Sequence, residues 1–444
     1  VKTARQIALE SLNRMEKQQA YSNLMMESLL KHSDLDSRDR DFASKLFYGV
    51  LESKITLDYI ITCYSKHPIE KMTIEIRNIL RLGLYQMISL QVDDFAAVNE
   101  SVNLTKAIHK KAASGFVNAV LRNFLRDGKK INYPDSERKP VQYFSLRYSC
   151  PVWLVESLFN EYGREVAEQL LQQQMGRPPL TLRVNPLKTT KEELSIQLEE
   201  QGFTLKPHLM ENCVEVLDGG SLADTALFEQ GMFHVQDVAS QLCGQVVAAY
   251  HPDSVLDVCA APGGKTFTIA EELKDTVPIT ACDLHEHRVK LIKSGAKRLG
   301  LSSVHAQVSD ASIYHEKIGK FGLVLCDVPC SGFGVIRRKP EIKYKSEQSV
   351  EGLPKIQMNI LEIASQYVKA GGVLIYSTCT LSKRENQEIT KAFLLQHPEF
   401  SPLQLPEVLT QFYPHAGYDL TFLPNQLDSD GFYLCAMKKR GITV

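Results

Sequence analysis

Two cysteines carry the most reactive chemistry in the chain. Cys330 lies in Cys326-Asp327-Val328-Pro329-Cys330-Ser331-Gly332, and Cys379 lies in Tyr376-Ser377-Thr378-Cys379-Thr380. A thiolate can add to carbon 6 of a cytosine, which makes the ring enamine-like and carbon 5 nucleophilic; an exocyclic amine needs no such help. Asp327 is the companion group. It can hold a cytosine by its exocyclic amine and ring nitrogen and share a proton with the latter, if a closed pocket tunes its pKa. A cysteine after an apolar strand is ordinarily a small core residue, and Cys243, Cys282 and Cys326 are read that way. Two cysteines at neighbouring strand ends, each among polar residues, are read as holding at least one catalytic thiol.

A second constellation points to a nucleoside cofactor. Leu256-Asp257-Val258-Cys259-Ala260-Ala261-Pro262-Gly263-Gly264-Lys265-Thr266 leaves an apolar run, turns on two glycines and enters a helical pattern. Glycines let the backbone approach a ligand, and a helix amino end favours negative charge. The turn is neither G-x-G-x-x-G nor G-x-x-x-x-G-K-[ST], which disfavours a phosphate loop. Asp283 ends the next strand, where an acid can bond ribose hydroxyls, and Asp310 ends the third, facing the adenine edge. Acids at successive strand ends without a phosphate cradle suit S-adenosylmethionine; the competing reading makes Asp283 and Asp310 helix caps. Cys259 belongs to this turn through its backbone. At Asp327-Val328-Pro329-Cys330 the chain is similar to the Asp/Asn-Pro-Pro-aromatic turn of amine methyltransferases, with a thiol in place of the ring.

Positioning these groups requires parallel strands, because loops past their carboxyl ends share one crevice. Apolar runs at 254–259, 278–282, 304–308, 321–326 and 371–376 alternate with amphipathic stretches, notably 285–299 and 353–369. That pattern predicts a doubly wound α/β sheet over 231–444. A last strand, Gly431–Met437, has no helix after it and is expected antiparallel at an edge. Residues 131–230 read as a linker and a small α/β connector. Pro134 and Pro140 mark a boundary, 180–184 alternates as a strand, Thr190-Lys191-Glu192-Glu193 is a capping box, and short strands come next at 203–205 and 213–217. Arg183 and Asn185 there are candidates either for RNA contact or for structure.

Residues 1–130 read as all-helical. Ile76, Ile79, Leu80, Gly83, Leu84 and Met87 form one stripe, and Phe116, Val117, Val120, Leu121, Phe124 and Leu125 another. Asn118, Arg122, Asn123 and Arg126 occupy the opposite face of the second, with His109-Lys110-Lys111 upstream. The segment holds 20 Lys+Arg against 15 Asp+Glu, whereas the whole chain of 444 residues has a net charge of −1. A basic face in a neutral protein favours RNA over an ordinary solvated surface only weakly. The run Ile336-Arg337-Arg338-Lys339-Pro340-Glu341-Ile342-Lys343-Tyr344-Lys345 is a stronger candidate, with Tyr344 available to stack on a base. No apolar run reaches membrane-spanning length and no secretory signal is read. Ten cysteines without a C-x-x-C pair argue against a disulfide framework and a zinc site, so a reducing cytoplasm is expected.

Together, Asp257–Thr266, Asp327–Gly332 and Ser377–Thr380 resemble the RsmB/Nop2/Sun family of RNA cytosine-5 methyltransferases. Gly115-Phe116-Val117-Asn118-Ala119-Val120-Leu121-Arg122 resembles the NusB-like RNA-binding domain fused to the family's bacterial members. Phe233-His234-Val235-Gln236-Asp237 resembles the segment entering its catalytic domain. The resemblance implies a NusB-like all-α domain, a small α/β connector and a Rossmann-like class I methyltransferase domain. It implies S-adenosylmethionine as donor and 16S ribosomal RNA as substrate; oligomeric state is open, with a monomer the default expectation. It also implies that Cys379 is the nucleophile and that Cys330 aids release. Cys259, Ala260, Ala261, Pro262, Gly263, Gly264 and Lys265 would line the cofactor, with Asp283 at its ribose, Asp310 at its adenine side and Asp327 near its methyl. The residues alone leave the two thiols' roles open, since DNA cytosine-5 methyltransferases use the Pro-Cys cysteine. That rival predicts action on duplex DNA; a non-enzymatic RNA-binding scaffold predicts no cofactor binding.

Overall fold

The structure is a computed structural model, and it describes residues 2–18, 22–90, 92–414 and 416–441. The chain forms two compact units, one of Val1–Gly176 with Ile336–Glu347, the other of Arg177–Val335 with Gln348–Val444.

The first unit is helical, with Ala4–Gln18, Ser22–Lys31, Ser37–Tyr64, Ile74–Ser89, Asp94–Ala107 and Ser114–Arg126 around one core. Asp36 and Asp93 start two of these helices by accepting the orphan N–H groups of Asp39 and Ala96. The predicted stripe over Ile74–Ser89 is buried along its length. On Ser114–Arg126, Val117, Val120, Leu121 and Phe124 are buried, while Phe116 and Leu125 are only half covered. Pro140, read as marking a boundary, opens the helix Pro140–Arg147, because the first helical position needs no N–H. Helices Val152–Tyr162 and Arg164–Gln173 come after it.

The basic run 336–345 differs from its sequence reading. Its segment Pro340–Tyr344 packs within the first unit: Lys343 is buried and donates to the Glu52 carbonyl at 2.6 Å, and Tyr344 bonds the Leu51 carbonyl. Burial pulls the Lys343 pKa down to about 8. These two side chains hold the segment in place, and neither reaches out to a phosphate or a base.

The second unit holds two sheets. Strands β1 (Leu180–Val184), β2 (Thr204–Pro207), β3 (Cys213–Asp218) and β4 (Phe233–Val235) form an antiparallel sheet in the order β2-β3-β1-β4. The capping box is present: Thr190 and Glu193 satisfy each other's backbone at the start of Lys191–Glu200. Arg183 is fully buried, with Nε 3.0 Å from Glu271 and Nη2 2.8 Å from Glu272, and Asn185 donates to the carbonyls of Gly231 and Leu299. Both residues therefore tie the small sheet to the larger fold and are not RNA contacts. Arg183→Ala would leave the buried Glu271 carboxylate, among the described residues, with His234 at 3.4 Å as its ion-pair partner. It should destabilise this unit by about 3–5 kcal/mol. A urea midpoint that barely moves would contradict this.

The larger sheet is built from β5 (Val255–Asp257), β6 (Ile279–Asp283), β7 (Val304–Val308), β8 (Phe321–Asp327), β9 (Val368–Thr378), β10 (Phe400–Pro402), β11 (Asp419–Phe422) and β12 (Phe432–Lys439). Its order is β10-β12-β9-β8-β5-β6-β7, parallel from β9 to β7, with β11 also on β12. Apolar side chains cover both faces: Leu323 and Leu325 enter one core, Val324 and Cys326 the other. That two-sided burial explains why β8 reads as a continuous apolar run. β12 is antiparallel to β9 as expected, but it is interior, because β10 and β11 share its far side. Nearly all of Phe432–Met437 is buried, which an edge strand would not allow. Among the described residues, no helix is long and apolar enough to cross a membrane.

Candidate active site

The two cysteine turns meet because β8 and β9 are parallel neighbours in a fixed register. Asp327 pairs with Ser377 across that ladder, so the chain leaves both strands at the same level. Cys330 comes three residues later on one side and Cys379 two residues later on the other. Their sulfurs lie 3.3 Å apart and are free. Each is half-buried; Cys379 lies between the buried Thr378 and Thr380, and Cys330 between the exposed Pro329 and the buried Ser331. Ser331 and Thr380 hydroxyls join the turns at 2.6 Å.

The electrostatics separate the two thiols. The Cys330–Cys379 hydrogen bond pulls the Cys379 pKa below the ordinary thiol value and pushes that of Cys330 well above it. Burial and Asp327 oppose the Cys379 thiolate, and Lys265 favours it. Burial, Asp327 and Glu385 all disfavour a Cys330 anion. When the pair carries one negative charge, that charge is therefore favoured on Cys379 and the proton on Cys330. A nucleophile and a proton carrier in contact can add to an electrophilic ring carbon and later assist departure.

Asp327 is fixed between two donors. Lys265 Nζ lies 2.7 Å from Oδ2, and the Ser377 hydroxyl donates to Oδ1 at 2.8 Å. Burial works against the Lys265 charge, but Asp327 outweighs it and keeps that ammonium charged. Its Nζ also sits 5.0 Å from the Phe432 ring centre. The bonds from Lys265 and Ser377 fix the orientation of the carboxylate. Sequence reading misses Ser377; its role appears only through the cross-strand register.

The glycine turn comes directly after β5. Gly263 has φ +113°, a region open to glycine, and begins the helix Gly264–Glu272. An added Cβ there would stand 2.3 Å from the Phe267 ring. The backbone between is held: Ala260 N–H donates to the Cys282 carbonyl and Gly263 N–H to the Ala260 carbonyl, both at 2.8 Å. Cys259 and Ala261 are half-buried, Ala260 buried and Pro262 exposed. Asp257, beneath the turn, accepts from Thr266 at 2.7 Å, and burial lifts its pKa to about 7.

Asp283 ends β6 with its carboxylate buried, bonded to the His285 N–H at 3.1 Å and paired with Arg288 at 3.1 Å. Arg288 also donates to the Ala261 carbonyl at 2.8 Å, tying this acid to the glycine turn. Asp310 accepts from the Ser312 hydroxyl and N–H, bonds that depress its pKa. Leu284, Val308 and Ile313, each about half exposed, flank these acids as an apolar rim. The set fits a purine nucleoside carrying a positive sulfonium: an apolar rim for the ring, an acid at the next strand end, and the Asp327 carboxylate. It offers no cradle for a polyphosphate.

Gly334 closes the site from below. Its N–H donates to the Cys379 carbonyl at 3.0 Å, and its carbonyl accepts the Gly431 N–H at 2.8 Å. A Cβ there would lie 1.9 Å from the Gly431 carbonyl oxygen, backbone that cannot yield without moving β12 or the Cys379 turn. Gly334→Ala should lower kcat by about 100-fold, the cost of a displacement near 1 Å in a reacting group. Steady-state kinetics would check it; parental kcat would show that the turn tolerates the shift.

The chain is similar to known proteins along its whole length. The family description 16S rRNA methyltransferase RsmB/F matches residues 245–438, the NusB family matches 2–126, and a ferredoxin-like domain of RsmF/B-like methyltransferases matches 150–221. The chain is 40% identical over 449 residues to a probable ribosomal RNA small subunit methyltransferase B of Bacillus subtilis, covering 99% of both chains. It is 30% identical over 411 residues to the ribosomal RNA small subunit methyltransferase B of Serratia proteamaculans, covering 91% and 92%. The solved structure of PH0851 superposes with a TM-score of 0.81 at 24% identity over 98% of each chain, a likeness of fold. With a relative this similar along its whole length, the chain belongs to the RsmB/F family of S-adenosylmethionine-dependent 16S rRNA methyltransferases.

Proposed function

We propose that this protein methylates carbon 5 of a cytosine in 16S ribosomal RNA through a covalent adduct on Cys379, acting as a monomer in the cytoplasm. The observation that carries the reading is the 3.3 Å contact between two free sulfurs, in which negative charge is favoured on Cys379 over Cys330. The ten free cysteines suit a reducing compartment.

Cys379 adds to carbon 6 of the cytosine, displaced from its stack into the site. The carbon 5–carbon 6 π electrons move into the ring. Asp327, held by Lys265 and Ser377, binds the exocyclic amine and ring nitrogen and supports the charge that builds there. When bound along Cys259–Lys265, Asp283 and Asp310, S-adenosylmethionine supplies the electrophilic methyl that carbon 5 takes. A base then removes the carbon 5 proton, the ring double bond re-forms and the Cys379–carbon 6 bond breaks. Cys330, the protonated partner, stabilises the departing thiolate through the same S–H···S contact.

The NusB-like domain presents the RNA surface in this reading. Lys106, Lys110, Lys111, Arg122 and Arg126 are exposed around the end of Asp94–Ala107 and along Ser114–Arg126. Replacing Arg122 and Arg126 with alanine should weaken binding to RNA of any sequence and reduce the slope of log K against log salt by about 1.4, two contacts at about 0.7 each. An unchanged slope would remove this face from the interface.

The test of the activity is chemical. 16S rRNA incubated with the protein and labelled S-adenosylmethionine should yield 5-methylcytosine on nuclease digestion and mass analysis. Label on an exocyclic nitrogen or a ribose would overturn the proposed chemistry.

A further inference from the structure

We propose that Glu385 and Asn386 are positioning residues: one dipeptide clamps both cysteine turns, Glu385 the turn of Cys330 and Asn386 that of Cys379. This rests on the roles given to the two thiols above. Each residue holds the chain on either side of one sulfur.

Glu385 is 3% exposed, and its Oε2 accepts the Ser331 N–H and the Gln357 amide, both at 2.8 Å. The same Gln357 nitrogen donates to the Pro329 carbonyl at 3.0 Å. The residues before and after Cys330 are thus gripped by one buried carboxylate–amide pair. Asn386 is fully buried; its Oδ1 accepts the Thr378 hydroxyl at 2.6 Å and its Nδ2 donates to the Thr380 carbonyl at 2.9 Å. These are the residues before and after Cys379. The dipeptide is itself anchored, since the Tyr376 hydroxyl of β9 donates to the Glu385 carbonyl at 2.6 Å.

Energetics argue that the arrangement is functional as well as structural. A carboxylate taken out of water costs several kcal/mol unless its lone pairs are met, and an apolar residue would fill the same space more cheaply. Here the Glu385 side chain bonds a loop N–H and the amide that fixes the loop's carbonyl. The S–H···S contact depends on that loop, because a sulfur pair at 3.3 Å tolerates little drift.

The test uses the full-length protein and needs no RNA. Alkylation of Cys379 by iodoacetamide is followed by peptide mass analysis across pH. The groups acting on this thiol are Cys330, Asp327, Lys265 and Asp430. In the parent, the S–H of Cys330 holds the midpoint low; Cys330→Ala sets the value without it. Glu385→Gln should move the midpoint upward by about one pH unit, toward that of Cys330→Ala, at a nearly unchanged melting temperature. Gln357→Leu, which frees the Pro329 carbonyl, should act in the same direction and serves if Glu385→Gln does not fold. With RNA and cofactor, Glu385→Gln should accumulate the covalent adduct that loss of Cys330 produces, and Asn386→Ala should form less adduct than the parent. Alkylation profiles superposing on the parent's in both Glu385→Gln and Gln357→Leu would overturn the proposal. The alkylation readout is separate from the covalent mechanism: an active Cys379→Ala enzyme would sink that mechanism and leave the profiles to report on the clamp.

Discussion

Replacing Cys379 with alanine should abolish methyl transfer to 16S rRNA, by on the order of 10⁴-fold or more, while leaving cofactor affinity near the parental value. The size reflects what the thiolate does. Without addition at carbon 6, carbon 5 of cytosine is a poor nucleophile, and nothing else near the pocket supplies the lost electron density. Cys330 does not substitute, because its turn holds it as the protonated partner, with Asp327 and Glu385 both opposing a negative charge on it. Affinity for the cofactor should survive because the glycine turn, Asp283 and Asp310 stand on β5, β6 and β7, on the other side of β8 from Cys379. Isothermal titration with S-adenosylmethionine beside a methyl-transfer assay separates the two effects. Turnover within ten-fold of the parent would remove Cys379 from the nucleophile role.

Replacing Cys330 with alanine should have the opposite signature. Addition still occurs, but the S–H that receives the departing thiolate is gone, so the adduct persists. A protein–RNA species resistant to denaturant should accumulate in the presence of S-adenosylmethionine, with multiple turnover depressed by about 10²–10⁴-fold, the usual range for loss of a positioned proton donor. The double variant lacking both thiols should form none. Normal turnover with no trapped species would take Cys330 out of the release step. The lost S–H also raises the Cys379 pKa, so the variant's addition step should become more dependent on high pH. Below the Cys379 midpoint the thiol is neutral and addition slows; above it the thiolate fraction saturates.

Much of this arrangement is legible in the chain because two-sided burial writes strands as unbroken apolar runs. Leu323-Val324-Leu325 and Val373-Leu374-Ile375 stand out for that reason, and the turn after each strand lands in one crevice. The glycine turn is legible because its residues do several jobs locally. The features that cannot be read depend on partners far along the chain. Ser377 matters to Asp327 only through strand register. Glu385 and Asn386 sit in Ser382-Lys383-Arg384-Glu385-Asn386, a polar stretch indistinguishable from a solvated loop until its contacts to Ser331 and Thr380 are seen. Arg183 and Tyr344 resemble RNA ligands in sequence because arginine and tyrosine are amphipathic; Arg183 is wholly buried against Glu271, and Tyr344 bonds the Leu51 carbonyl. The last strand reads as an edge because no helix comes after it, yet β10 and β11 complete its hydrogen bonding from segments too short to announce themselves as strands.

The central claim is that one sulfur bonds carbon 6 of the target cytosine and that this sulfur belongs to Cys379. RNA carrying 5-fluorocytosine at the target tests it most directly, because fluorine on carbon 5 cannot leave as a proton does and the adduct cannot resolve. After incubation with S-adenosylmethionine, protease digestion and tandem mass spectrometry, the methylated fluoropyrimidine should be found on the peptide containing Ser377-Thr378-Cys379-Thr380. Its recovery on the peptide of Pro329-Cys330-Ser331 would reverse the roles of the two thiols, and recovery on neither would end the covalent account.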